Sequence, residues 1–348
     1  MTEAPSTAPP GGGPASAPRP ADVYGDVMAA ARELYKKIAP ALGEDPAKPV
    51  ESAASAPGSL TLPWDPVRKI IGLLSGGDQE ILALADRSAS DHFLFSHVVN
   101  VTIVALRLGL ALDLRGAELE TLGLSAFLHD LGLIAHMEIT AKPTKLSPEE
   151  TQRLRGHVRE GQKLLDLFGG WTEELKATVS RVIGESHERE EGQGYPAQLS
   201  ADRIHLFAKV IAMADVYEAM THMRPWRPRT VPHDVLRSFV EENAAEFDPT
   251  LIRAMIDTFS LYPPGSFVRL STGEIGRVLT TSPGLPLRPR VWVMIDEKGG
   301  RVDGQRVVNL GTKPGTFITE AVDETKIKTT DQRLALALRA QRWWVRGL

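Results

Sequence analysis

The chain has 348 residues, 42% hydrophobic and 24% charged, an ordinary globular balance with room for two domains and a tail. A net charge of -4 gives no bulk attraction to nucleic acid or an anionic membrane, so an anionic ligand needs local cations from metal ions or a few Arg and Lys. Cysteine is absent, which excludes disulfides and thiolate metal sites and leaves His, Asp and Glu as ligands for any transition metal.

Residues 1–21, rich in Pro, Ala, Gly and Ser, read as a disordered tail with neither the basic nor the apolar region of a secretory signal. Val23, Val27, Leu34 and Ile38 predict an amphipathic helix over 22–43. A loose linker, Asp45 to Pro57, follows, and 22–90 reads as an N-terminal helical segment. From Trp64 to about Ser260 apolar residues recur at spacings of three and four, as in Val98, Val101, Ala105, Leu108 and in Leu122, Ser125, Ala126, Leu128. The most apolar stretch, Val98 to Leu114, carries Arg107 and Asp113 and reads as a core helix, so no transmembrane segment is expected. Ser147 and Glu150 form a capping box; Gly192, Gly194 and Pro196 mark a loop, as do Pro225, Pro228 and Pro232. Past Tyr262 the period changes: 267–270, 275–279 and 291–295 read as short strands, so 262–321 is expected to be a small β-barrel or sheet. The end, 331–348, returns to an amphipathic helix with Leu334, Leu338, Val345, Trp343-Trp344 and four arginines. It is expected to dock on its own domain or a second copy, with a membrane surface or protein partner as the alternative. The whole is mainly α: a helical bundle over 91–260, then the β module and the terminal helix.

Four histidines, His97, His129, His157 and His187, follow one another at 32, 28 and 30 residues, and Asp215 lies 28 beyond the last. Each step is about one helix plus a loop, so each can deliver one side chain into a shared interior, as bundles do at metal sites. His97 and Asp215 sit in strongly apolar text, where an ionisable group is costly unless paired or metal-bound. One such residue alone is more often a hydrogen-bonded core His or a capping Asp; five in register favour a site. Asp130 follows His129, and a carboxylate there can bridge two metals that activate a water for in-line attack on phosphorus. His92, His136, His205, His222 and His233 are assigned to the surface or to positions behind the site.

These segments resemble the HD-GYP branch of the HD phosphohydrolases, bacterial enzymes that open cyclic di-GMP. The matching text is His129-Asp-Leu-Gly-Leu-Ile134, His157-Val-Arg-Glu-Gly161, His187-Glu-Arg-Glu-Glu-Gly-Gln-Gly-Tyr-Pro196, Ile211 to Thr221 and Arg224-Pro-Trp-Arg227, over roughly 92–260. The resemblance implies an HD-type bundle with one metal on His97, His129, Asp130 and Asp215. It implies a second on Asp130, His157 and His187, the metals being iron or manganese. It further implies a substrate side lined by Gly194, Tyr195 and Pro196, with Arg224, and His129-Asp130 at the centre of catalysis; for the glycine loop a plain tight turn is an equal reading. The β segment looks like the module that follows this domain in some members.

Three positions depart from the family pattern: Ser186 stands where His is usual, Leu133 where Lys is usual, and Phe93 where some members carry an extra Glu ligand. A hydroxyl is a poor ligand beside imidazole. One firm metal site and a weakened second are therefore expected, with no third. The expected function is a metal-dependent, cytoplasmic cyclic di-GMP phosphodiesterase of reduced activity giving linear pGpG or GMP. The alternatives are a degenerate receptor or scaffold without turnover, and an HD phosphohydrolase of another nucleotide. A protein partner through the β module or last helix, and a homodimer, remain open.

Overall fold

The computed structural model describes residues 18–42, 56–78, 80–85, 93–224, 227–281 and 284–340. Residues 1–17 of the expected tail, most of the 45–57 linker, His92, Pro225-Trp226 and Trp343-Trp344 with the rest of 341–348 lie outside these, as does the side chain of Phe93.

Helix α1 (Pro20–Leu42) buries Val23, Val27, Ala31, Leu34 and Ile38, one stripe of a 3.6-residue period. A two-residue strand β1 (Leu60–Thr61) leads into α2 (Trp64–Ser75) and α3 (Glu80–Ala85). Helix α4 (Phe93–Ala111) is apolar nearly all round and is packed on by α1, α2, α3, α5 (Gly116–Leu128), α10 (Leu206–Thr221) and α12 (Pro249–Phe259). Its Leu94–Ala111 stretch is long and apolar enough to cross a membrane by composition, but 78% of it is buried inside this fold, the position of a core helix. Between α5 and α10 come a 3-10 turn (Leu131–His136), α6 (Met137–Thr140), α7 (Pro148–Arg155), α8 (His157–Leu164), β2 (Phe168–Gly169) and α9 (Glu173–Glu185); α11 (Pro232–Glu241) precedes α12. The capping box at Ser147 forms, with hydroxyl and Glu150 carboxylate each taking the other's backbone N–H. Strands β1 and β2 pair in parallel, tying the start of α2 to the turn after α8.

One hydrophobic core runs from Val23 to Phe259, so α1 shares it with the residues that carry the histidines. The division of 22–90 from 91–260, drawn on composition, does not appear in the packing.

Strands β3 (Phe267–Leu270), β4 (Ile275–Thr280), β5 (Arg290–Ile295), β6 (Arg301–Asn309) and β7 (Ile318–Val322) form an antiparallel sheet in the order β6-β5-β4-β3-β7. Alternation, broken by an irregularity between Val293 and Ile295, splits its apolar residues between two faces. Val268, Leu270, Val278, Val291 and Val293 make one core with Tyr262 and Leu310. Phe267, Ile275, Met294 and Ile295 make the other, closed by Leu334 and Leu338 of α13 (Gln332–Ala340). The described part of the last helix thus docks on its own chain. Arg229 pairs with Glu324 between the helical part and the module.

Candidate metal centre

The six expected ligands converge, but few of them from helix interiors. His97 stands near the start of α4 and Asp215 in the middle of α10. His157 opens α8, and His187 lies just past α9. His129 caps α5, and Asp130 leaves helical geometry at φ -103, ψ 18 before the 3-10 turn. His129 and Asp130 are therefore not successive residues of one helix. The helix breaks between them, which frees the carboxylate to turn toward both halves of the site.

Asp130 is the centre. Its Oδ2 lies 3.2 Å from His97 Nε2 and 3.4 Å from His129 Nε2. Its Oδ1 lies 3.3 Å from His157 Nε2 and 3.6 Å from His187 Nε2. Asp215 Oδ1 is 3.2 Å from His97 Nε2, and its Oδ2 is 3.8 Å from His187 Nδ1. The donor atoms of His97, His129 and Asp215 lie within 4.8 Å of one another, as do those of Asp130, His157 and His187. Ligand atoms about 2.0–2.2 Å from one ion are themselves about 3 Å or a little more apart, so both groups suit a divalent ion.

The hydrogen bonds behind the ligands favour the same reading. His129 Nδ1 meets the Ala126 carbonyl at 2.8 Å, and His157 Nδ1 the Leu154 carbonyl at 2.6 Å. Each ring therefore donates from Nδ1 and turns its Nε2 inward. Consequently His129 Nε2 and Asp130 Oδ1 are buried without a hydrogen-bond partner, and the Nε2 atoms of His157 and His187 face each other at 3.0 Å. An ion among these rings would take the Nε2 lone pairs that their Nδ1–H tautomers offer.

The charges agree. Burial opposes ionisation of Asp130, but His129, His157, His187 and His97 outweigh it and hold the carboxyl well below its usual value. Burial likewise opposes protonation of His97, but Glu218, Asp130 and Asp215 outweigh it and hold that imidazole well above its usual value. His187 differs: burial, joined by the charge of His157, holds it below.

Two close backbone crossings shape the site. A Cβ on Gly132 would lie 2.0 Å from the His157 carbonyl oxygen, so this glycine lets the turn after Asp130 rest on α8. A Cβ on Gly194 would lie 2.4 Å from Glu188 Cα. The missing side chain of Gly194 therefore makes room for its own loop. Glu188 holds that loop by accepting from the Ala197 and Leu199 amides at 2.6 and 2.9 Å. Tyr195, before a cis bond to the exposed Pro196, stacks on His187 at 4.9 Å and 7°, and the Arg155 guanidinium lies 4.9 Å over its ring. Tyr195, expected on the substrate side, thus braces His187.

Arg224, expected on the substrate side, is buried and donates to Glu218 Oε2 at 2.7 Å, behind His97. Ser186 is buried and its hydroxyl donates to the Ile183 carbonyl. Glu185 accepts from the His205 amide, and Glu188 serves the loop, so neither carboxylate stands in for the missing imidazole. Leu133 is buried in the main core.

Behind His97 lie Glu218 and Asn100, which sequence reasoning passed over, and His222, which it had assigned to the surface or to a position behind the site. Glu218 meets His97 Nδ1 with Oε2 and accepts from Asn100 Nδ2 at 3.3 Å with Oε1. Buried His222 is 3.4 Å from Glu218 Oε1. The available signal was Glu218 itself, one turn after Asp215 in an apolar helix.

A helical domain that gathers four histidines around one aspartate, in two groups that could each hold a metal ion, has the arrangement of an HD-type protein. An HD domain family model matches residues 83–251, and a model described as a KOW domain associated with HD domain matches 267–330. Over residues 83–251 the chain is similar to HD-domain proteins, in line with its resemblance to the HD-GYP branch. It is 34% identical over 233 residues to a cyclic di-GMP phosphodiesterase of Pseudomonas aeruginosa, covering 66% of this chain and 55% of that one. It is 32% identical over 157 residues to a 3'3'-cGAMP-specific phosphodiesterase of Vibrio cholerae, covering 43% of this chain and 35% of that one. The chain thus spans about half, or less, of these curated relatives. A solved HDG"Y"P protein from Bdellovibrio bacteriovorus shares the fold, with a TM-score of 0.50 at 19% identity over 68% of this chain and 69% of that one.

Proposed function

We propose that this chain is a metal-dependent phosphodiesterase that opens a cyclic dinucleotide, cyclic di-GMP first, to linear pGpG and then GMP. The observation that carries this is Asp130, whose two oxygens face two separate imidazole pairs. A pair of divalent ions held there supplies Lewis acidity and lowers the pKa of a water. His97, His129 and Asp215 would hold one ion, His157 and His187 the other, with Asp130 on both. The thiolate-free set of imidazole and carboxylate suits iron or manganese. The choice of cyclic di-GMP rests on the Pseudomonas relative's printed activity, and the Vibrio relative makes 3'3'-cGAMP the nearest competitor. Gly194, Tyr195 and Pro196 would shape the mouth by fixing His187 rather than by cradling a base, and Arg224 would act through Glu218. Glu218 draws the Nδ1 proton of His97, which makes its Nε2 a stronger donor.

A second reading, a receptor or scaffold without turnover, is favoured by Ser186, whose hydroxyl is committed to Ile183 while no carboxylate replaces the imidazole. The same feature argues for a weaker second ion.

The test is to load the purified chain with manganese or ferrous iron and follow cyclic di-GMP and 3'3'-cGAMP to linear products. Turnover of cyclic di-GMP, lost in Asp130→Ala, is expected. Binding without product would establish the receptor reading instead, and neither binding nor product would overturn both.

A further inference from the structure

We propose that helix α1, outside the residues that the HD model matches, is a working part of the metal centre, with Tyr24 and Tyr35 as positioning residues for the ion on His97, His129 and Asp215. The proposal rests on reading the cluster as a metal centre and not on the choice of nucleotide.

Two hydroxyls from one helix reach the site by different routes. Tyr24 donates to Asn100 Oδ1 at 2.9 Å. The other end of that amide, Nδ2, donates to Glu218 Oε1 at 3.3 Å, and Glu218 Oε2 meets His97 Nδ1. Eleven residues on, Tyr35 is buried and donates to the Asp130 carbonyl at 3.4 Å, and its ring meets Phe95 edge-on at 5.3 Å, two residues before His97. Tyr35 therefore touches both the turn that carries Asp130 and the helix that carries His97.

The Tyr24 route has a direction. A carboxamide offers an acceptor at one end and donors at the other. Tyr24 on the oxygen and Glu218 on the nitrogen require the same orientation of Asn100. Without the Tyr24 hydroxyl the amide loses one of the contacts that set this orientation. A flipped amide would set its oxygen against the Glu218 carboxylate and loosen the group that fixes the His97 ring. Partners of this kind behind a metal ligand commonly change metal affinity about 10–100-fold. Tyr24 stands one group further back than Glu218, so the lower end of that range applies.

Packing alone needs neither hydroxyl. Val23, Val27, Ala31, Leu34 and Ile38 already fix α1 in the core, and phenylalanine keeps the ring volume at either tyrosine.

The experiment uses the full chain, wild type and the variants Tyr24→Phe, Tyr35→Phe and Glu218→Gln, each loaded with one equivalent of cobalt(II). Three quantities are read: release of the ion to a chelator, the visible cobalt spectrum at matched occupancy, and the melting temperature of the metal-free protein. Tyr24→Phe should release the ion about tenfold faster and shift the cobalt bands, with the metal-free melting temperature nearly unchanged. Tyr35→Phe should act in the same direction, and Glu218→Gln more strongly. Wild-type release and spectrum in both tyrosine variants would overturn the proposal. So would a fall in melting temperature with release unchanged, which is the signature of packing only. A wild-type chain that takes up no metal would overturn the metal reading itself and this proposal with it.

Discussion

Gly132 shows how little room the centre leaves. Its hydrogen faces the His157 carbonyl, and a methyl group there would lie at 2.0 Å from that oxygen, backbone against backbone. Gly132→Ala must push α8 away from the Asp130 turn and so separate Asp130 Oδ1 from His157. We expect this variant to lose the ion on His157 and His187 while keeping the other, read as metal per chain by mass spectrometry. Full retention of both would contradict the crossing. The same residues set a pH dependence. In the unfolded chain His97 titrates near 6.5, whereas in the fold its carboxylate neighbours outweigh burial and hold it well above. Its contribution to stability is complete below about pH 6.5 and is lost as pH rises through the folded value. Asp130 has the opposite sense: held well below 3.8 by its histidines against burial, it contributes above that value and loses the contribution in stronger acid. The metal-free protein should therefore melt highest in mildly acidic buffer and lower toward pH 9, by about 2–4 °C for each kcal/mol lost. Bound metal requires the neutral ring, so loading should flatten the alkaline decline; differential scanning calorimetry with and without chelator reads both curves.

Among the elements, α13 carries the clearest packing claim. Leu334 and Leu338 complete the face of the sheet formed by Phe267, Ile275, Met294 and Ile295. Leu334→Ala leaves a cavity at a buried position, which typically costs about 2–5 kcal/mol. Denaturant melting should show a destabilised module while metal content stays at the wild-type value. Loss of metal in this variant would mean that the module and the centre unfold together. Helix α1 makes the contrary case. Its apolar stripe was legible at Val23, Val27, Leu34 and Ile38, because a 3.6-residue period needs no tertiary information. That its two tyrosines reach Asn100 and the Asp130 carbonyl was not legible, because these partners lie 76 and 95 residues away along the chain.

At the scale of the whole molecule, a bundle with one continuous core holds the centre, and a separate antiparallel module follows it. The α4 stretch that passes for a membrane span by composition is what the other helices pack around. The histidine–aspartate cluster stands at the meeting of α4, α5, α8, α9 and α10, so removal of metal bound there should lower the melting temperature of the bundle.

The sequence by itself determined the helical class, the change of period at Tyr262, the capping box at Ser147 and the six candidate ligands. Each is written in local periodicity, in turn chemistry or in residue types that an apolar segment does not otherwise carry. Only the tertiary structure decided how those ligands meet. It set the break in helical geometry after His129 that turns Asp130 to both sides, the stacking of Tyr195 on His187 and the inward pairing of Arg224 with Glu218. It also showed that neither Glu185 nor Glu188 replaces the imidazole absent at 186. These depend on which backbone groups and charges remote segments bring within about 3–5 Å, a range at which buried polar groups choose partners and which spacing along the chain does not encode.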